Sequence, residues 1–268
     1  MSEWSIVRSL EPPLWRPASI PGVIAAFTTR QGGVSHPPYH ALNLGRSTPD
    51  QPEAVEANRV RVLTSLGLEP ARLATAGQVH GNTVTRVSAP GLHRECDALV
   101  TRAPGLPLAV SAADCLPILF VAPGAVAAAH AGWRGTAAGI PVAALEAVCD
   151  AAQVGAAEVS VHLGPCIRSC CYEVGAEVAA RFPGMAVRRS GASIHLSIPD
   201  AARLQLLERG VLPGRVFDTG ACTACEEFWY YSHRRDHGMT GRQWGLIALA
   251  DDGGDGSRHR QPSNGREV

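Results

Sequence analysis

Apolar positions along the chain fall into short dense runs separated by turn-forming residues, with a few longer segments at helical spacing. The dense runs predict β-strands over 23–28, 98–101, 108–112, 117–121, 126–130 and 159–163. Further apolar runs at 228–232 and 244–249 are expected to close the sheet. Helical periods cover 53–66, which stops at Gly67 in a C-cap position, and 199–208, with Pro199 near its start and Gly210 beyond its end. The Ala/Val/Leu stretch 136–152 also predicts a helix, with Thr136 as N-cap and Pro141 as the point where it kinks or restarts. Strands and helices mix without a strict βαβ rhythm. The expected fold class is therefore α/β of the α+β kind, a single domain with mixed β-sheets flanked by helices.

One local arrangement can be read further. Pro123-Gly124 lies between two apolar runs and predicts a tight turn, so opposed residues have numbers summing to 247 and Pro117 faces His130. Cys115, two residues back from Pro117, then points to the same face as His130, about 7 Å away at Cβ. Nothing in the spacing brings His80, in the turn Gln78-Val79-His80-Gly81-Asn82, to the same place.

Composition narrows the classes. Of 268 residues, 46% are hydrophobic and 18% charged, which favours a globular fold over disorder. Lys+Arg and Asp+Glu are both 24, so no electrostatic argument supports a nucleic-acid or membrane-surface partner. Every basic residue is Arg, which excludes Schiff-base catalysis and a Walker-type phosphate loop, both of which need the amine of Lys. The start, Met1-Ser2-Glu3-Trp4, does not read as a signal peptide. The apolar stretch 106–131 is interrupted by Asp114, three prolines and Gly124, and predicts buried strands rather than a membrane span. A cytoplasmic protein is expected, with its 8 cysteines as thiols instead of a disulfide framework. The tail 251–268, rich in Gly, Asp, Arg and Ser, is expected to be disordered, leaving 1–250 as the folded domain.

Each chemical candidate also has a plain structural reading. Cys115 by itself is a small buried hydrophobe, His130 a hydrogen-bonded core histidine, and His80 a loop residue. Cys115 with His130 also fits a cysteine hydrolase, the thiol as nucleophile and the imidazole as base. Pro165-Cys166-Ile167-Arg168-Ser169-Cys170 has three residues between its thiols, which fails the Pro-Cys-x-x-Cys spacing of zinc nucleobase deaminases. Cys222-Thr223-Ala224-Cys225 is a true C-x-x-C, suited to structural zinc or to redox cycling. A second C-x-x-C is missing, so the preferred reading is two reduced structural thiols, and Cys170-Cys171 is read the same way.

Ten segments together resemble the YfiH family of laccase-domain proteins. They are Thr28 to Ser35, Leu42-Asn43-Leu44-Gly45, Gln78-Val79-His80-Gly81, Cys96 to Thr101, Ala113-Asp114-Cys115-Leu116-Pro117, His130 to Thr136, Gly164-Pro165-Cys166-Ile167, Cys171-Tyr172-Glu173-Val174-Gly175, Cys222-Thr223 and Ser232-His233-Arg234-Arg235-Asp236. They run in family order over most of the chain. Where the family often carries an Asp–hydrophobic pair and then Asn-Arg, this chain has Ser197-Ile198 and Ala202-Arg203.

The resemblance implies a metal site of His80, Cys115 and His130, which would be the catalytic centre. It implies zinc-dependent phosphorolysis of adenosine, inosine, guanosine and 5′-methylthioadenosine, with adenosine deamination as a second activity. Purine nucleosides and phosphate are then the partners. A His₂Cys trio with an open fourth position suits catalytic zinc. The same ligand types also describe copper, the basis of the older polyphenol-oxidase label. A blue-copper site usually adds an axial Met, and Met185 and Met239 lie in no ligand-like segment. Multicopper oxidation needs more His ligands than 10 scattered residues supply. Arg134, just before a predicted helix, is the phosphate candidate; Arg30 and Asn43 are expected to line the pocket, and Asp114 to orient a ligand from behind. A metal or nucleoside sensor without turnover is the remaining class.

Overall fold

The computed structural model describes residues 4–17 and 19–251. The chain opens with strands β1 (Trp4–Val7), β2 (Leu14–Pro17) and β3 (Val23–Thr28), followed by helix α1 (Pro52–Ser65). Short strands β4 (Ala74–Ala76), β5 (Val84–Arg86) and β6 (Gly91–His93) precede β7 (Ala98–Thr101), β8 (Leu108–Ala112), β9 (Leu116–Ala122) and β10 (Ala125–Ala131). Then come α2 (Trp133–Ala137), α3 (Ile140–Ala152), β11 (Ser160–Leu163) and α4 (Ala176–Ala179). The hairpin β12 (Val187–Ser190) and β13 (Ser193–Leu196) leads to α5 (Ile198–Glu208), β14 (Val216–Asp218) and β15 (Gln243–Leu249).

Two mixed sheets carry the fold. One has seven strands in the order β1-β2-β3-β15-β8-β4-β6, the other six in the order β14-β11-β9-β10-β7-β5. They pack face to face through Phe27, Leu108, Val110 and Ile247 of the first and Leu99, Leu119, Val126 and Ala128 of the second. The outer face of the six-stranded sheet (Ile118, Phe120, Ala127, Ala129) is covered by α3 and α5 through Leu145, Val148, Ala202 and Leu206. The outer face of the seven-stranded sheet (Leu14, Ala26, Leu246) is covered by α1 through Val62 and Leu63. The layers are helix, sheet, sheet, helix. Strands buried on both faces need apolar side chains in both directions, which is why β9 and β10 read as unbroken apolar runs. Each large core side chain, such as Phe120, contributes about 1.5–3 kcal/mol by leaving water.

The hairpin joins as its turn residues demand. Gly124 has φ +72°, and β9 pairs with β10 so that Pro117 opposes His130 and Ile118 opposes Ala129. Along β10, Ala127, Ala129 and Ala131 face the helices while Val126, Ala128 and His130 face the gap between the sheets. His130 stands at the end of that gap.

Two expectations are corrected. Residues 228–232 form no strand: Tyr230 and Tyr231 are buried in a run of turns. The Trp229 carbonyl accepts from the Arg30 amide and the Tyr231 amide donates to Gln243 Oε1, so loop contacts have taken the backbone bonds that a ladder would need. The helix over 136–152 restarts as Pro141 predicts, with Gly139 at φ +87° ahead of Ile140 and Pro141 in the first turn of α3, but its expected N-cap is overturned. Thr136 lies inside α2, capped by Gly132, instead of capping anything itself. Ser197, in a segment that departs from the family pattern, caps α5 by accepting from the Asp200 amide at 3.3 Å. Residues 252–268 of the tail lie outside the described residues. No helix among the described residues is long and apolar enough to cross a membrane.

Candidate active site

His80, Cys115 and His130 converge, with one nitrogen or sulfur atom from each within 4.8 Å of the others. Cys115 sits just before β9 and His130 near the end of β10, on the face set by the hairpin parity. His80 arrives from a loop in which Gln78 and His80 both hold left-handed backbone, φ +59° and +62°. For residues other than glycine that conformation costs about 1–2 kcal/mol each and persists only where surrounding contacts over-determine it.

Asp97 supplies those contacts. Its fully buried carboxylate accepts from the amides of Val79 (3.2 Å), His80 (3.0 Å) and Gly81 (2.7 Å), and lies 2.9 Å from His130 Nδ1. One side chain thus fixes the loop and orients the His130 ring, leaving Nε2 as its available ring nitrogen. Gln78 pins the same loop to β8 from the other side, donating to and accepting from the backbone of Ser111 at 2.7 and 2.8 Å. Gly132 keeps the space open, because a Cβ there would come 3.0 Å from Cys115 Sγ and 3.3 Å from His80 Cδ2.

The electrostatics follow from this packing. Burial opposes ionisation of Cys115, yet the charge and hydrogen bond of His130 and the hydrogen bond of His80 outweigh it and lower the thiol to about 6. Burial likewise opposes the His130 imidazolium, but the Cys115 thiolate and Asp97 raise it to about 9. Burial opposes the Asp97 carboxylate too, and the bonds from His130, Gly81 and His80 hold it below its ordinary value. A thiolate and two imidazoles form a donor set for a borderline-soft cation, with the exposed His80 on the solvent side.

The trio lies in a cleft of about 810 Å³. Its lining includes Arg46, Arg59, Arg134, Arg234 and Arg242 but, among the described residues, only one acid, Asp114. Of these arginines only Arg46 pairs with a carboxylate, Glu56 at 2.7 Å, among the described residues. Arg59 is buried against Trp244, with its Nε lacking a hydrogen-bond partner; burial first, then Arg46, lowers it to about 10. Burial and the Cys115 charge push the Tyr172 phenol, also in the lining, up to about 12.

The other predicted residues divide between the lining of the cleft and the structure around it. Arg134 lines the cleft, its guanidinium 4.4 Å from the Trp133 ring centroid. Arg30, expected to line the cleft, is not in its lining: its guanidinium is held by the His40 and Glu227 carbonyls. Asn43 is outside the lining as well, buried, its Oδ1 accepting from the amide of Arg242 at 2.9 Å. Asp114 does not reach the histidines: its carboxylate accepts from Thr223 Oγ1 (2.7 Å) and the Arg234 amide (2.6 Å), fixing the wall beside Cys115. Asp97 is a site residue that no catalytic motif in the sequence marks. A carboxylate opening the run Asp97-Ala98-Leu99-Val100 was the available signal, since a charge at the edge of a buried strand needs partners.

A second convergence lies away from the trio. Cys170, Cys171, Cys222 and Cys225 bring their sulfurs within 4.8 Å of one another. The partner pair missing from the sequence as a C-x-x-C is the adjacent Cys170-Cys171.

Comparison with known proteins shows the family of the chain. The family model described as multi-copper polyphenol oxidoreductase laccase matches residues 24–250. A purine nucleoside phosphorylase of Deinococcus radiodurans is 41% identical over 246 residues, covering 88% of this chain and 93% of its own length. The crystal structure of YlmD from Geobacillus stearothermophilus superposes with a TM-score of 0.87 at 33% identity, over 94% of this chain and all of that one. The hypothetical protein YfiH of Bacillus licheniformis gives 0.84 at 31% identity, over 88% of this chain and 96% of that one.

Proposed function

The chain belongs to this laccase-like family, and from that premise we propose that it is a zinc-dependent purine nucleoside phosphorylase. It acts on adenosine, inosine, guanosine and 5′-methylthioadenosine, with adenosine deamination as a second activity. The observation that carries the reading is the His80–Cys115–His130 trio set in an arginine-lined cleft. Relatives named for purine nucleoside phosphorolysis support it.

The residues present fit zinc. The donors are a thiolate and two imidazoles, the second nitrogen of His130 is held by a carboxylate, and Gly132 leaves room beside the sulfur. Copper fits less well, since Met185 and Met239 stand on the surface and the trio is the one histidine-containing cluster among the described residues. Zinc bound there supplies Lewis acidity and a water of lowered pKa.

The rest is done by the chain. Phosphorolysis brings an anion to C1′ of the ribose while the purine leaves. The cleft arginines without a carboxylate partner among the described residues, Arg59, Arg134, Arg234 and Arg242, can hold phosphate. Holding the dianion fixed beside C1′ makes its attack effectively intramolecular, while the electron pair of the breaking glycosidic bond leaves with the purine. Tyr172 stays protonated at neutral pH and offers an O–H donor to the departing base. Asp97 positions His130 and the His80 loop and does not itself touch substrate.

The lowered Cys115 and raised His130 also favour a second reading, a cysteine hydrolase in which the imidazole takes the thiol proton, leaving a thiolate nucleophile beside an imidazolium that returns the proton to the leaving group. Product formation from adenosine and inosine, with and without phosphate, on protein of assayed zinc content separates the two. Free base with ribose 1-phosphate, lost on zinc removal and restored by zinc, is expected. Phosphate-independent inosine from adenosine adds the deaminase. Zinc without any nucleoside turnover overturns the enzyme reading in favour of a sensor, and no zinc with no turnover favours the hydrolase.

A further inference from the structure

The four cysteines away from the cleft form a cradle that ordinary packing does not require. Cys170 and Cys225 are exposed, Cys171 is half-buried and Cys222 is buried, so the group is not a hydrophobic core cluster. Cys171 and Cys225 place their sulfurs 3.2 Å apart, and Cys170 lies 3.5 Å from both Cys222 and Cys225. Sulfurs around a tetrahedral zinc ion, with Zn–S near 2.3 Å, are about 3.8 Å apart, so only small adjustments separate this cluster from that shell.

The cradle is built by hydrogen bonds that need no ion. The amides of Cys171 and Tyr172 both donate to the Arg168 carbonyl, at 2.9 and 2.8 Å, folding the first pair into a turn. The second pair is closed by Glu226, whose amide donates to the Cys222 carbonyl and whose carboxylate accepts from the Cys222 amide at 2.9 Å. The two turns are joined by the Thr223 amide donating to the Cys166 carbonyl at 3.1 Å and by Arg168 Nε donating to the Ala221 carbonyl at 3.0 Å. Arg168 also pairs with Asp218, so its charge is already compensated. Four thiols this close cannot ionise together without a cation between them.

We propose that Cys170, Cys171, Cys222 and Cys225 form a second metal site, a closed tetrathiolate that binds zinc as a structural ion. Four protein ligands leave no open position, which separates it from the three-ligand trio. Its position gives it a task. Ile167 and Tyr172, on either side of Cys170-Cys171, line the cleft, and Thr223, between Cys222 and Cys225, donates to Asp114 next to Cys115. The guanidinium of Arg234, whose amide also bonds Asp114, lies over Tyr172 at 5.1 Å. Zinc here staples two loops that form one wall of the cleft.

The test uses the full chain purified without chelators. The Cys115→Ala variant removes a trio ligand, and it is expected to retain one zinc per chain. After exchange with cobalt(II) it is expected to show the intense sulfur-to-cobalt charge transfer and tetrahedral ligand-field bands of an all-sulfur site. Cys170→Ser/Cys225→Ser is expected to lose that ion and that spectrum. A readout that needs no variant is thiol reactivity of the wild-type protein. Exposed Cys170 and Cys225 should resist a chromophoric thiol reagent until a strong chelator is added, then react. Immediate reaction before chelation overturns the site, as does Cys115→Ala that folds without an ion, or peptide mapping that finds these cysteines in disulfides. None of these outcomes depends on whether the cleft turns over nucleosides.

Discussion

The two sulfur-bearing clusters of this protein are built for opposite ends. In the trio, two donors stand on or beside adjacent strands and the third is held by a buried carboxylate, and the group opens into a cleft. In the tetrad, all four donors come from two surface turns tied by backbone bonds. Mixed donors with an open side leave room for a reactant, whereas four like donors that close on themselves leave room only for an ion. Ligand count and the direction of the open face, more than ligand identity, separate a reaction centre from a staple. A similar contrast divides two buried histidines of the six-stranded sheet. His130 has a thiolate and a carboxylate beside it and is raised to about 9, while His162 lies among Trp4 and Phe217 and is lowered to about 4 by burial.

The sharpest way to break the comparison is Cys115→Ala. Phosphorolysis should fall by about 10³-fold or more, as expected when an electrophilic centre is removed. Steady-state turnover of inosine checks this, with far-UV circular dichroism as the control for folding; retained turnover would remove Cys115 from the centre.

Asp97→Asn should act on the trio alone. It keeps the shape of the side chain but weakens its hold on His130 and the loop amides, so zinc affinity of the trio should fall about 10–100-fold. Chelator competition measures this, and unchanged cobalt absorption from the tetrad would show that the two sites are independent.

Arg134→Ala tests the cleft and not the metal. Losing one exposed charge-assisted contact should raise KM for phosphate about 10-fold with kcat and zinc content little changed. Unaltered phosphate dependence would remove Arg134 from the anion site.

The smallest effect belongs to His162, far from both clusters in chemistry. The fold favours its neutral form, whereas the unfolded chain takes up the proton near pH 6.5. Stability is therefore full above that value and declines as pH falls toward 4. Between pH 7 and pH 5.5 this amounts to about 1 kcal/mol. His162→Gln cannot titrate, so denaturant unfolding should show a pH slope shallower by that amount; an unchanged slope would mean His162 is not held neutral.

Much of the framework is legible without coordinates. The strands 23–28, 98–101 and 108–112 coincide with β3, β7 and β8, because dense apolar runs bounded by Gly, Pro and Asp have few other ways to bury both faces. Short strands such as β4, β5 and β6 were not legible, since three residues are too few to show a period. Residues 228–232 look like a strand and are not one, because Tyr230 and Tyr231 are buried while Phe228 is exposed, and the backbone bonds of the segment go to Arg30 and Gln243.

That Cys115 and His130 share a face is legible from the chain alone, because the Pro123-Gly124 turn sets the register and side chains alternate along a strand. That is a local property, carried by sixteen consecutive residues. That His80 joins them, and that Cys170-Cys171 meets Cys222 and Cys225, follows from the packing of the whole fold. Both events rest on groups distant in sequence. The Asp97 carboxylate can stay buried only if the amides of residues 79–81 reach it, and Arg168 reaches across to the Ala221 carbonyl. No periodicity records such contacts, because they arise from satisfying buried polar groups after the layers have packed.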